Sequence, residues 1–145
     1  MSKLHFLSPE EDKQLVAAIQ LAELNTSGEI RVHFSKKIAK DVYSEATSIF
    51  KKLKMDQTER KNGVLIYIVL SQKSFCIIGD SGIHEVVKDV FWNETKDIMQ
   101  NAFKQGNIVE GLVMGIQKVG EVLKNDFPYL QNDTNELSNE ISKDA

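Results

Sequence analysis

Seven consecutive apolar residues, Val64-Leu65-Ile66-Tyr67-Ile68-Val69-Leu70, follow directly on Asn62-Gly63. Successive side chains of a strand point to opposite faces, so a run that is apolar at every position needs cover on both sides. The run is also far too short to cross a bilayer, which takes about 20 residues. The rest of the chain must therefore supply layers above and below a sheet in which this segment is central.

Periodicity identifies those layers. Ser8-Pro9-Glu10-Glu11 reads as a helix start, with Ser8 as N-cap, Pro9 in the first turn and Glu11 closing a capping box, and Leu15, Ile19 and Ala22 form its apolar stripe. After Asn25-Thr26-Ser27-Gly28 the pattern becomes alternating from Glu29, with Ile30, Val32 and Phe34 on one face and Arg31 and His33 on the other. That predicts a half-covered first strand with His33 exposed. Asp41 caps a second helix carrying Val42, Ala46, Ile49, Phe50 and Leu53. Beyond the central strand, Ser71-Gln72-Lys73 is a short hairpin loop into Phe75-Cys76-Ile77-Ile78, which stops at Gly79-Asp80-Ser81-Gly82. The remainder is helical. It comprises a short element around His84 to Val90, a helix capped by Asn93 and ended by Gly106, and a last helix with Ile108, Leu112, Ile116, Val119 and Leu123.

A chain of 145 residues suits one domain with one core, placed at residues 1–124, followed by a polar tail at 125–145. Only the last fifteen or so residues are too polar to build a core, which makes the tail the sole candidate for disorder. Lys and Arg number 18 against 21 Asp and Glu, with no basic cluster, so nucleic acid is not an expected partner. The first eight residues contain no apolar stretch of the export type, and a cytoplasmic location without membrane attachment is expected. The single cysteine, Cys76, excludes an internal disulfide and a multi-cysteine metal site.

Strand, helix, strand and then a tight return predicts a mixed sheet, because crossovers join parallel strands and short loops join antiparallel ones. This order brings Glu29, Asn62 and Asp80 to one edge. Two carboxylates flanking an amide and glycines offer oxygen ligands to a hard cation, calcium or magnesium, to which Asp97 and Asp89 are further candidates. From pattern alone the same carboxylates read first as solvated rim residues, because charged residues at strand ends are ordinary. Arg60 can contact a phosphate or other anion there, or pair with a carboxylate. His84 reads as a packed or capping side chain rather than an acid–base group. There is no Gly-x-Gly-x-x-Gly, no phosphate-binding Gly-x-x-x-x-Gly-Lys, no Gly-x-Ser-x-Gly and no Asp-x-Asp. Any hydrolysis would have to be metal-assisted.

Three blocks, Thr26-Ser27-Gly28-Glu29-Ile30-Arg31-Val32, Arg60-x-Asn62-Gly63-Val64-Leu65-Ile66 and Gly79-Asp80-x-Gly82-Ile83, resemble the successive blocks of the TPM domain, and Phe103-x-x-Gly106 with Gly111 resembles its closing block. The resemblance runs from about Leu7 to Leu123. It implies a Rossmann-like three-layer α/β/α sandwich with a small mixed sheet, and a bound divalent cation, calcium before magnesium, near the block edges. Relatives include thylakoid lumen proteins and an acetylcholine-receptor modulator of worms. This chain looks like a stand-alone cytosolic bacterial form, and Phe127-Pro128-Tyr129, Asp133 and Asn135-Glu136-Leu137 resemble the ending of such members. Acid phosphatase activity is attributed to plant relatives, without a nucleophile motif that could be matched here. Three functions are therefore carried forward: a metal-binding regulatory or interaction module, a metal-assisted phosphatase, and a metal-independent domain binding a protein partner through its tail.

Overall fold

Local chemistry starts the first two helices as the sequence indicates. The computed structural model describes residues 7–36, 40–72, 74–128 and 139–143. Helix α1 (Pro9–Glu23) opens with the complete capping box: Glu11 N donates to Ser8 Oγ at 3.2 Å and Ser8 N to Glu11 Oε1 at 3.0 Å. Strand β1 (Glu29–Ser35) leads to α2 (Val42–Lys52), whose cap Asp41 accepts from the amides of Tyr43 and Ser44. A single 3-10 turn at Met55–Gln57 precedes β2 (Gly63–Val69), and another at Leu70–Gln72 leads to β3 (Ser74–Gly79). Then follow α3 (Ser81–His84), α4 (Asp89–Lys104), α5 (Ile108–Asp126) and β4 (Ser142–Lys143).

Helix α4 departs from expectation. It begins at Asp89, so Asn93 lies inside it rather than capping it, and its N-cap, Lys88, makes no side-chain capping bond. Phe91 and Trp92 in its first turn pack against the main core. That burial outweighs the local capping preference, which is worth only about 1 kcal/mol.

The sheet is mixed, in the order β3-β2-β1-β4. β1 and β2 are parallel from Glu29↔Gly63 to Ser35↔Val69, while β2 and β3 are antiparallel. Every residue of β2 is buried, as its unbroken apolar run requires. On one face Ile30, Val32, Phe34, Val64, Ile66 and Ile68 meet Leu15 and Ile19 of α1, Met99 of α4, and Leu112 and Ile116 of α5. On the other, Leu65, Tyr67, Val69 and Ile78 meet Ala46 and Phe50 of α2, with Met55 from the 3-10 turn. This is the three-layer α/β/α arrangement. Each fully buried aliphatic or aromatic side chain contributes about 1.5–3 kcal/mol of transfer free energy.

The expectation of a half-covered β1 with His33 exposed fails. His33 is 3% exposed, its ring lies parallel to that of Tyr67 with centroids 5.4 Å apart, and its Nδ1 is 2.9 Å from Ser142 Oγ. The cause is the end of the chain. Residues 142–143 return to the sheet and pair in parallel with His33 and Phe34, while Ile141 packs against the core. A polar segment can be ordered this way because an edge strand needs a ladder and one apolar anchor rather than a core of its own. The resemblance drawn at Tyr129, Asp133 and 135–137 lies outside the described residues, as does Lys73.

Candidate functional site

The three residues expected at one edge do meet there. Glu29 N donates to the Asn62 carbonyl at 3.3 Å, and Asp80 N donates to the Gly63 carbonyl at 3.0 Å. Since Glu29 is paired with Gly63 and Val64 with Gly79, continuing the register by one residue sets Glu29, Gly63 and Asp80 in a row across the sheet. Residues in such a row point to the same face. The carboxylates thus flank a position with no side chain, with Cα atoms about 10 Å apart by two strand spacings.

Two crossing loops meet next to this row: the loop that precedes β2 and the turn from Asp80 that opens α3. Gly82 N donates to the Lys61 carbonyl at 2.8 Å. A Cβ at Gly82 would overlap the Arg60 carbonyl oxygen and come within 2.6 Å of that of Lys61, so glycine is required for the crossing. The loop that precedes β2 holds two non-glycine residues in the left-handed region, Lys54 at φ 60° and Lys61 at φ 53°. Such conformations cost about 1–3 kcal/mol each and persist only where the surroundings impose them, often around functional sites. Lys61 Nζ donates back to the Asp56 carbonyl at 2.5 Å, which closes the loop on itself.

The electrostatic signature of the rim is a set of oxygens without hydrogen bonds. Asn62 is 1% exposed; its Nδ2 donates to Ser27 Oγ at 3.3 Å, but its Oδ1 is buried with no partner. Asp80 Oδ1 accepts from Ser81 N at 2.7 Å, whereas Oδ2 is likewise buried and unpartnered. Asp56 Oδ1 and Thr58 Oγ1, in the loop that precedes β2, share that condition. A buried acceptor without a donor costs about 1–3 kcal/mol. Neither Asp56 nor Thr58 stands out in the sequence, where they fall in a polar stretch without periodicity. The pair of left-handed lysines that shapes their loop has no sequence signal either.

The remaining candidates are distributed unevenly. Glu29 is 3% exposed. Asp89 and Asp97 are both exposed on α4. Eight residues of helix separate them by about 12 Å along the axis, so they cannot serve one ion together. Arg60 is exposed, with Nη1 3.3 Å from Ser27 Oγ. His84 is exposed beside Trp92, at 6.4 Å between ring centroids. Among the described residues, no three His, Cys, Asp or Glu side chains form a metal-holding group. A cation at this rim would have to complete its shell from amide, hydroxyl, carbonyl and water oxygens, which calcium and magnesium accept.

Glu23 carries no distinctive motif in the sequence. It ends α1, and its Oε2 accepts from Ile30 N at 2.8 Å. Burial is the main cause that raises its pKa from 4.5 to about 7; the bond from Ile30 opposes this, and the neighbouring Glu29 charge adds to it. Cys76 is no alternative nucleophile, because burial pushes its thiol up to about 11 and thiolate is the reactive form. A groove between α1 and α5, about 310 Å³, contains none of the rim residues.

The Thr26–Glu29 block is anchored from below. Thr26 Oγ1 contacts the carbonyls of Leu123 and Phe127 and accepts from Gly28 N at 3.0 Å, while Ser27 N donates to the Phe127 carbonyl at 2.8 Å. The end of α5 therefore sets the height of the rim. No helix among the described residues is long and apolar enough to cross a membrane.

Comparison with known proteins agrees with this fold. The NMR structure of BA42 protein from the psychrophilic bacterium Bizionia argentinensis is 51% identical, covers 99% of this chain and 100% of its own, and superposes with a TM-score of 0.92. The N-terminal domain of a protein from P. gingivalis is 21% identical over 85% of this chain and 80% of its own, with a TM-score of 0.68. That of cg2496 protein from Corynebacterium glutamicum is 13% identical over 81% and 74%, with a TM-score of 0.64. The last two share the fold. No curated protein matches the chain. The family model for the TPM domain matches residues 2–122, a span that contains all three sequence blocks and both crossing loops, and the chain belongs to the TPM domain family.

Proposed function

We propose that this TPM domain binds a divalent cation, calcium or magnesium, at the crossing loops and acts as a metal-binding regulatory or interaction module. The observation that carries the reading is the pair of buried, unpartnered oxygens, Asn62 Oδ1 and Asp80 Oδ2, at the rim that Glu29 also borders. A hard cation at this rim would supply the partner that such oxygens lack and offset the adjacent negative charge. Asp56 Oδ1 and Thr58 Oγ1, in the loop that precedes β2, are further buried oxygens without a partner. Asp89 and Asp97 are peripheral to this reading. Thermal melting of chelator-treated protein tests it. Saturation at 100-fold over Kd adds about 2.7 kcal/mol, a rise of several degrees for a domain of this size. Asp80→Asn should abolish most of that rise; an equal rise in the variant would place the ion elsewhere.

Metal-assisted hydrolysis of phosphate esters is the second reading, favoured by the exposed Arg60 held beside Ser27 and Asn62. Turnover of a chromogenic phosphate ester should then disappear on chelation and in Arg60→Ala, while cation affinity persists in the latter. Absence of turnover with either ion would leave the binding module alone.

A further inference from the structure

The outer edge of β1 is covered by a segment that lies outside the family domain. The TPM match ends at residue 122, and β1, β2 and β3 all lie within it, so the matched region forms a three-stranded sheet with β1 at its edge. Residues 142–143 supply the fourth strand. An uncovered edge is a ready template for another strand, and extended peptides commonly bind by adding to one.

The cover is narrowly attached. Its ladder spans two positions, His33↔Ser142 and Phe34↔Lys143, whereas β1 and β2 pair at seven positions and β2 and β3 at six. Its side-chain contacts are of kinds that another chain could reproduce. Ser142 Oγ meets His33 Nδ1 at 2.9 Å, and Lys143 Nζ lies 3.9 Å from Asp12 Oδ1 with both groups about two-fifths exposed. The charge of Glu140 acts on Arg31. Within the described residues 139–143, Ile141 is the one apolar anchor. Arg31 Nε, two residues before His33 on the same face of β1, is buried without a hydrogen-bond partner, a donor that the present cover leaves unsatisfied.

We propose that β4 is a displaceable cover, and that the outer edge of β1 around His33 and Phe34 accepts an extended segment of a partner protein laid parallel to it. The recognised pattern is acidic, apolar, Ser or Thr, then basic, as in Glu140-Ile141-Ser142-Lys143 of the chain itself. The acidic residue answers Arg31, the apolar residue enters the core margin, the hydroxyl meets His33, and the basic residue reaches Asp12. The tethered segment competes at an effective concentration on the order of millimolar, so a partner binds only when it exceeds that level or holds the tail away.

The test uses the full-length protein. In the unaltered chain, amide exchange at Ser142 and Lys143 should be at least about 100-fold faster than at the slowest β2 amides, reporting local opening. In full-length Ile141→Asp, chemical-shift changes should be confined to residues 31–35 and the tail. A synthetic peptide of residues 138–145, added as the probe, should return residues 31–35 saturably towards their original positions, and the same peptide with Ser142→Pro should not. β4 amides exchanging as slowly as those of β2 would overturn the displaceable cover. So would an Ile141→Asp chain that loses the whole fold, and a peptide without effect at millimolar concentration would overturn the acceptor edge.

Discussion

Glu23→Gln should stabilise this protein at pH 8 and do nothing below about pH 4.5. Glu23 is partly buried at the end of α1, bonded to Ile30 N and close to Glu29, and its carboxyl is raised from 4.5 to about 7. In the unfolded chain it ionises at its ordinary value. Between those two values the folded state holds a proton that the unfolded state has lost, so stability falls as pH rises through this window. A difference of this size corresponds to about 3 kcal/mol of preference for the neutral form. Glutamine keeps an oxygen for Ile30 N and never ionises, so it removes the penalty and keeps the bond. Urea unfolding of both proteins at pH 4, 6 and 8 is the assay. The variant should gain about 2–3 kcal/mol at pH 8, a smaller amount at pH 6 and nothing measurable at pH 4. A gain that does not change with pH, or no gain at pH 8, would refute the reasoning.

Other consequences follow from the same contacts. Gly82→Ala sets a methyl group against the carbonyls of Arg60 and Lys61, so it should lower stability by about 2 kcal/mol or more and move the amide resonances of residues 58–63. Gly115→Ala meets the flexible side chain of Met99 instead, and should cost about half as much because methionine can rearrange; equal melting losses in the two would contradict this contrast. Thr26→Val keeps the shape but removes the acceptor for Gly28 N and the donor to the end of α5. It should cost about 1–3 kcal/mol in denaturant unfolding, with faster exchange at Gly28.

The layers were legible because burial imposes periodicity. The run from Val64 demanded cover on both faces, and Ser8, Asp41 and Gly106 marked helix boundaries through capping chemistry that acts over three or four residues. Asn93 misled for the same reason: a local preference was read where Phe91 and Trp92, immediately before it, gain more by packing. The return of residues 142–143 to β1 left no trace in composition, because a two-residue ladder with Ile141 as its anchor needs almost no apolar content. His33 was misplaced as a direct result. At the rim, topology alone brought Glu29, Asn62 and Asp80 together. Asp56 and Thr58 lie in a loop shaped by the left-handed Lys54 and Lys61, and Glu23 is placed by its bond from Ile30 N at the end of α1; sequence periodicity encodes neither.

The most direct test of the cation reading is a titration of calcium, then magnesium, into chelator-treated, isotope-labelled protein, followed residue by residue. Saturable amide shifts should appear at Glu29, Asn62 and Asp80, extend into the loop from Asp56 to Lys61, and leave β4 and the α1–α5 groove unmoved. If neither ion shifts those amides at millimolar concentration, the unpartnered oxygens of Asn62 and Asp80 have another explanation, and the crossing loops are not a cation site.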